Sequence, residues 1–311
     1  MRTEVTPADL SKSVMAVPPL ARSADGAFDI AANAALVHHL EAGGVSTLLY
    51  GGNALAHHWP ISQYANWLDQ LELSCGSNTW LLPSVGSDGG RLVDQAAQLK
   101  SRKYPVALLL PMIAPRTEEG TMASLRRFHA ECGVQLIVYI KTDDYLLPQS
   151  LGALVADGVV FGVKYAVPRP QGGRDSYLDA IIAAIGAERI ISGFGEPPAI
   201  AHMRDYGLAG FTAGCVCLAP AISMAALAAL REGRVDQAQS LIQPMLALEA
   251  ARNRINEIRV LHEAVSLAGI AQMGPILEPS SGLPATERAE VETAARALLA
   301  AEHAFRAQSA A

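Results

Sequence analysis

Short apolar runs and amphipathic segments alternate at steady spacing along this chain of 311 residues. Eight runs (13–17, 47–51, 80–85, 106–111, 135–140, 158–164, 189–193 and 209–213) have the length and β-branched content of parallel strands buried on both faces. Helical patterns fill the intervals, over 28–42, 60–74, 89–101, 119–131, 147–155, 175–186, 197–206 and 218–231. Eight strand-then-helix units predict a closed (β/α)8 TIM barrel of the α/β class. An open doubly wound sheet would have fewer units and a Gly-x-Gly-x-x-Gly turn after its first strand, and the chain has no such turn. Beyond residue 232 the pattern is helical throughout: 234–245, a long segment 248–269 with Ile255, Ile258, Leu261, Val265 and Ala268 on one stripe, and 287–307. The expected organisation is a barrel over 1–232 and a C-terminal helical extension over 233–311 packed on it as a cap.

Barrels of this kind carry their chemistry at the carboxyl ends of the strands. The run Gly158-Val-Val-Phe-Gly-Val-Lys-Tyr165 ends on a lysine, Lys164. Strict alternation puts Val160, Gly162 and Lys164 on one face and Phe161, Val163 and Tyr165 on the other. A desolvated amine there is pushed toward its neutral, nucleophilic form, suited to forming a Schiff base; the plainer alternative is a strand-end lysine that reaches water. In the preceding run, Leu136, Val138 and Ile140 make an apolar face for the helices, which leaves Gln135, Ile137 and Tyr139 toward the lumen. Neighbouring strands lie about 4.8 Å apart, so Tyr139 and Lys164 can meet one small molecule, the phenol moving protons as carbinolamine and imine interconvert. A core tyrosine is the competing reading.

Other strand ends add weaker signals. Gly51-Gly52-Asn53 can present backbone N–H groups to a carboxylate or phosphate, with the Asn53 amide as a further donor, although Gly-Gly also simply makes a turn. Gly193-Phe194-Gly195-Glu196 follows the seventh run and opens a helix, which places Glu196 at the pocket rim unless it only favours the helix start. Lys141, if its strand continues, faces inward beside Tyr139 and either lowers the pKa of Lys164 or pairs with a substrate acid; a solvated loop lysine fits equally. His57 and His58 follow the glycine loop and can line the pocket, but adjacent side chains point apart, so no metal pair is expected. The remaining histidines lie in helical patterns and read as surface or packing residues.

Composition narrows the partners. Half the residues are hydrophobic and 17% are charged, enough for one large core. A net charge of −6 without a basic run argues against nucleic acid or an anionic membrane surface as partner. No apolar run reaches the roughly 18 residues of a membrane span and no signal pattern opens the chain, so a cytoplasmic protein is expected. Cys75, Cys132, Cys215 and Cys217 are too few and scattered for a disulfide framework or a zinc site and read as reduced thiols. No metal and no cofactor is expected.

In this order along the chain, Gly51-Gly52-Asn53, Tyr139 and Lys164 resemble the dihydrodipicolinate synthase/N-acetylneuraminate lyase family of class I aldolases. Ala16-Val17-Pro18, Ser192-Gly193 and Gly210-Phe211-Thr212-Ala213-Gly214 extend the resemblance over essentially the whole chain. It implies a lyase, assembled as a homo-oligomer (tetramer or dimer), in which Lys164 forms an imine with pyruvate or another 2-oxo acid. Tyr139 is then the general acid/base, and Gly51, Gly52, Asn53, Gly193 and Thr212 bind substrate. The departures are specific. Asn53 stands where the family has a hydroxyl residue, Ala54-Leu55 replace Gly-Glu, Met112 replaces the tyrosine that true synthases carry after the fourth strand's proline, and Asp144 replaces an arginine. A carboxylate in place of that arginine is expected to repel a dicarboxylate intermediate, so the expectation is an aldolase or dehydratase of a 2-keto(-3-deoxy) acid with a hydroxylated or aromatic partner, not a true dihydrodipicolinate synthase. The alternative is a non-catalytic 2-oxo-acid-binding or regulatory protein, which would have no need of both Lys164 and Tyr139.

Overall fold

The structure is a computed structural model and describes residues 1–169 and 173–309, so the last two positions of the expected extension lie outside it. Eight parallel strands, β1 (Met15–Ala16), β2 (Thr47–Tyr50), β3 (Trp80–Val85), β4 (Val106–Leu109), β5 (Gln135–Ile140), β6 (Val160–Tyr165), β7 (Ile190–Ser192) and β8 (Gly210–Ala213), pair in sequence order. β8 pairs with β1 and closes the barrel, as the periodicity predicts. The helices that follow the strands are α1 (Ile30–Ala42), α2 (Ile61–Leu73), α3 (Gly89–Leu99), α4 (Glu118–Cys132), α5 (Pro148–Ala156), α6 (Ser176–Ile185), α7 (Glu196–Tyr206) and α8 (Pro220–Arg231). Several start on a residue whose side chain accepts from an otherwise orphaned N–H: Asp88 from Arg91, Thr117 from Gly120, Asp175 from Leu178. No helix among the described residues is long and apolar enough to cross a membrane.

Alternation along the strands divides the apolar residues into two layers. Leu136, Val138 and Ile140 of β5 join the layer between barrel and helices, while Ile137 and Tyr139 join the lumen with Leu49, Trp80, Leu82 and Leu108. The strict alternation expected for β6 does not hold. Leu136 is opposite Val160 but Ile137 is opposite Gly162, so Phe161 is an extra residue at a register shift. Phe161 therefore points into the lumen, edge-on to Trp80 with ring centroids 5.6 Å apart, and Val160 packs outward. Beyond the shift the faces alternate as expected, with Val163 and Tyr165 outward and Lys164 inward.

After α8 come α9 (Val235–Ile242), α10 (Leu246–Arg254), α11 (Glu257–Leu267) and α12 (Ala285–Ser309). The single helix expected over 248–269 is two. Asn256 is extended (φ −177°, ψ 123°) and its side chain accepts from the N–H groups of Ile258 and Arg259, which starts a new helix. The apolar stripe hides this break, because local capping by one asparagine decides it. The break also turns Glu257, the first residue of α11, toward the barrel mouth beside the inner face of α10.

Candidate active site

Lys164 lies one residue before the end of β6, directly opposite Tyr139 in the β5–β6 register, and is only 5% exposed. Its Nζ is 4.2 Å from the centroid of the Tyr139 ring. The lysine stem runs across Gly193, just after β7: a Cβ there would lie 3.1 Å from Lys164 Cε and 2.8 Å from the Ala166 Cβ, so the backbone can approach only without a side chain.

Burial pushes the Lys164 amine down from 10.5 to about 7; Glu257 opposes the shift, and Lys141 and Arg252 add to it. Burial, with the Glu257 carboxylate, pushes the Tyr139 phenol well above its ordinary value, so it stays protonated and able to donate. The pair thus joins an amine that is deprotonated to a large extent at neutral pH with a phenol that holds its proton.

The two side chains face a cavity of about 140 Å³ at the carboxyl end of the barrel. An apolar cavity of roughly 150 Å³ holds benzene, and pyruvate has the same number of non-hydrogen atoms. Gly52, Asn53, Thr212 and Gly193 line it. The backbone N–H groups of Gly52 and Asn53 have no protein partner among the described residues, and a Cβ on Gly52 would meet open space. These are the donors a carboxylate needs.

Several expectations are corrected. Gly51 does not line the cavity; a Cβ there would press on Leu49, Leu108 and the Ser84 hydroxyl below it. The Asn53 amide nitrogen donates to the Val17 carbonyl at 2.7 Å, tying the β2 loop to β1. His57 and His58 sit in a one-turn 3-10 helix (Ala56–His58) with rings tilted at 49° and centroids 4.1 Å apart, and neither lines the cavity. Among the described residues no cluster of metal-ligating side chains exists.

Glu196 is not at the rim. It is 1% exposed, its Oε1 accepts from the Ser223 hydroxyl at 2.9 Å, and its Oε2 has no partner. Burial and then the neighbouring Glu249 push its carboxyl up to about 7. Asp144 is exposed, in the left-handed region at φ +53°, and away from the cavity, so its charge cannot be what repels a second carboxylate there. β5 stops at Ile140, yet Lys141 still reaches the mouth: it is exposed, lines the cavity and has its Nζ 5.7 Å from the Tyr139 centroid.

Sequence reasoning missed the roof. Glu249, Arg252 and Asn253 of α10 and Glu257 of α11 line the cavity opposite the strands. Glu249 and Arg252, 6% and 7% exposed, form a buried ion pair of 2.5 Å. The spacing 249, 252, 253 puts three polar residues on one helix face, but the extension carries many other charged residues, so the sequence does not single these out.

Fold and site together define a (β/α)8 barrel whose mouth holds a buried lysine–tyrosine pair under a helical roof. No protein-family model and no curated protein matches the sequence. Solved structures do, and they carry the resemblance drawn from the sequence to the level of the whole fold. Dihydrodipicolinate synthase from Bacillus clausii superposes with a TM-score of 0.79 at 19% identity, covering 92% of this chain and 97% of that one. The synthase from Agrobacterium tumefaciens gives 0.79 at 19%, covering 94% and 99%. Ruminococcus gnavus sialic acid aldolase gives 0.81 at 15%, covering 95% and 99%. At these identities the likeness is one of fold.

Proposed function

We infer that the protein is a lyase of the class I aldolase type, forming an imine between Lys164 and the oxo carbon of pyruvate or a 2-keto(-3-deoxy) acid. The observation that carries this reading is the pairing of a buried Lys164, its amine pushed down to about 7, with Tyr139 across two adjacent strands, Nζ 4.2 Å from the ring. One of the similar structures, of Ruminococcus gnavus sialic acid aldolase at 14% identity, is of a catalytic-lysine mutant, so that protein uses a lysine. In this reading the barrel supplies the reacting groups, and α10 and α11 of the extension supply the roof.

The steps balance without a cofactor. The neutral amine adds to the oxo carbon, and the proton it loses moves to the former carbonyl oxygen by way of the Tyr139 hydroxyl. Tyr139 gives its proton to that oxygen, which departs as water and leaves the protonated imine beside a phenolate. The imine draws electrons from C3, so the enamine forms as the phenolate takes back a proton, either from C3 or from a C4 hydroxyl as the C3–C4 bond breaks and C4 leaves as an aldehyde. Gly52 and Asn53 N–H groups and the Thr212 hydroxyl are assigned to the carboxylate, in place of the hydroxyl residue that the loop lacks.

Borohydride reduction in the presence of pyruvate tests this. A carboxyethyl group should appear on the peptide that contains Lys164 and on no other. An unmodified Lys164 peptide at saturating pyruvate would remove the central step.

A further inference from the structure

We propose that the Glu249–Arg252 pair of α10 selects the far end of the substrate, and that it selects a hydroxyl group over a second carboxylate. This rests on the imine reading above and adds the residues and the chemical class that decide which 2-oxo acid is taken. A pyruvate unit bound at Lys164 fills most of a cavity of about 140 Å³, so atoms beyond C3 must run along the roof toward the mouth.

The roof there is built with care for one ion pair. Both partners are more than nine-tenths buried, and buried pairs seldom recover the cost of desolvating two charges, so stability alone does not account for it. The loop after β8 is shaped around the pair: a Cβ on Gly214 would stand 2.5 Å from Arg252 Nη2, whereas one on Gly195, after β7, would make only ordinary contact with the Glu249 carboxylate at 3.8 Å. Arg252 donates through Nε to the Glu257 carbonyl and through Nη1 to Glu249, while Nη2 has no protein partner among the described residues. One wall of the cavity therefore offers a guanidinium N–H beside a carboxylate.

A hydroxyl suits that wall, because it accepts from Nη2 and donates to Glu249 at once. A carboxylate does not. It accepts from Arg252 but confronts Glu249, with Glu257 also on the cavity wall and Glu196 buried behind. Arg252 is already neutralised by its partner, so it offers no net positive charge.

The experiment is a competition for Lys164 between 2-keto-3-deoxygluconate and 2-keto-3-deoxyglucarate, which differ only in a terminal hydroxymethyl or carboxylate. Equimolar mixtures, with the dicarboxylate carrying 13C at C1–C3 so that a pyruvate adduct left by cleavage is also assigned to its source, are reduced with borohydride and the adduct masses compared on the Lys164 peptide, a ratio internal to each digest and independent of the folded fraction. The wild type should favour the monocarboxylate by about tenfold or more. Glu249→Gln, which leaves Arg252 uncompensated, should move the ratio at least about tenfold toward the dicarboxylate, Arg252→Gln should move it the other way, and the double Glu249→Gln/Arg252→Gln variant, which buries no unpaired charge, should bring it near unity. A purely structural pair would lower yield without moving the ratio. Preference of the wild type for the dicarboxylate, or one ratio in all four proteins, overturns the proposal. Absence of any adduct, with pyruvate as well, instead removes the imine reading and the proposal with it.

Discussion

An amine at about 7 makes a sharp kinetic prediction, because imine formation draws on the neutral fraction alone. At pH 7 a group at its pKa is half neutral, whereas a lysine at 10.5 is neutral to roughly 0.03%, so burial of Lys164 raises the nucleophilic form by about 10³-fold. The initial rate of borohydride-trapped adduct with pyruvate, followed by mass spectrometry across pH, should rise about fivefold from pH 6 to pH 7 and less than about twofold above pH 7. Glu257 holds the amine up, so Glu257→Gln should move the midpoint to lower pH; Lys141 holds it down, so Lys141→Met should move it to higher pH. A rate that climbs tenfold per pH unit through pH 9 without a plateau would refute the argument. So would a Glu257→Gln midpoint that moves upward, since the charges around Nζ would then be wrongly placed.

Tyr139→Phe keeps the ring under Nζ and removes the proton carrier, so turnover should fall by about 10²–10⁴-fold while the unfolding midpoint stays near that of the wild type; unchanged turnover would take Tyr139 out of the chemistry. Lys164→Met should stabilise the protein at neutral pH. The unfolded chain binds a proton at Lys164 that the folded chain releases between about pH 7 and 10.5, so the cost of burying the amine is greatest below pH 7 and fades as pH rises, with about 5 kcal/mol as its upper bound. Thermal melts at pH 6 and pH 10 should show the gain shrinking with pH, and a gain that grows would reverse the sign. Gly193→Ala should abolish adduct formation, because its methyl would meet Lys164 Cε at 3.1 Å and Ala166 at 2.8 Å; an adduct rate within about twofold of wild type would show that the lysine stem has room. With Glu249 and Glu257 in the roof, condensation of pyruvate with aspartate semialdehyde should be negligible in a coupled assay, and brisk condensation would contradict this.

The barrel was legible because its signal is repeated: eight buried strands each read as apolar runs, and an error at one leaves the count standing. Lys164 and Tyr139 were legible because each is a polar residue at the end of an apolar strand, and strand alternation alone puts Tyr139 inward. The same rule failed at Phe161, where one extra residue reverses the face of everything before it and nothing in Gly158–Val159–Val160 announces the shift. Glu196 and the histidine pair were misplaced for a related reason. Position after a strand end is readable, but whether the side chain turns into the cavity or beneath the next helix depends on packing against Ser223 and Glu249, more than 25 residues away.

The roof shows where local patterns stop informing. Glu249 and Arg252 belong to a helix that a sequence reading treats as a cap, and only the closed barrel brings it over the ends of β7 and β8. The room for Arg252 depends on Gly214, 38 residues away in sequence, whose lack of a side chain has no local explanation in its own strand-to-helix turn. Lys164 and Tyr139, the groups proposed to react with an oxo acid, come from adjacent strands and lie within one apolar pattern. The cavity wall opposite them is assembled from the barrel and the later helices together, so altering α10 should change what is bound without disturbing the strands that hold Lys164 and Tyr139.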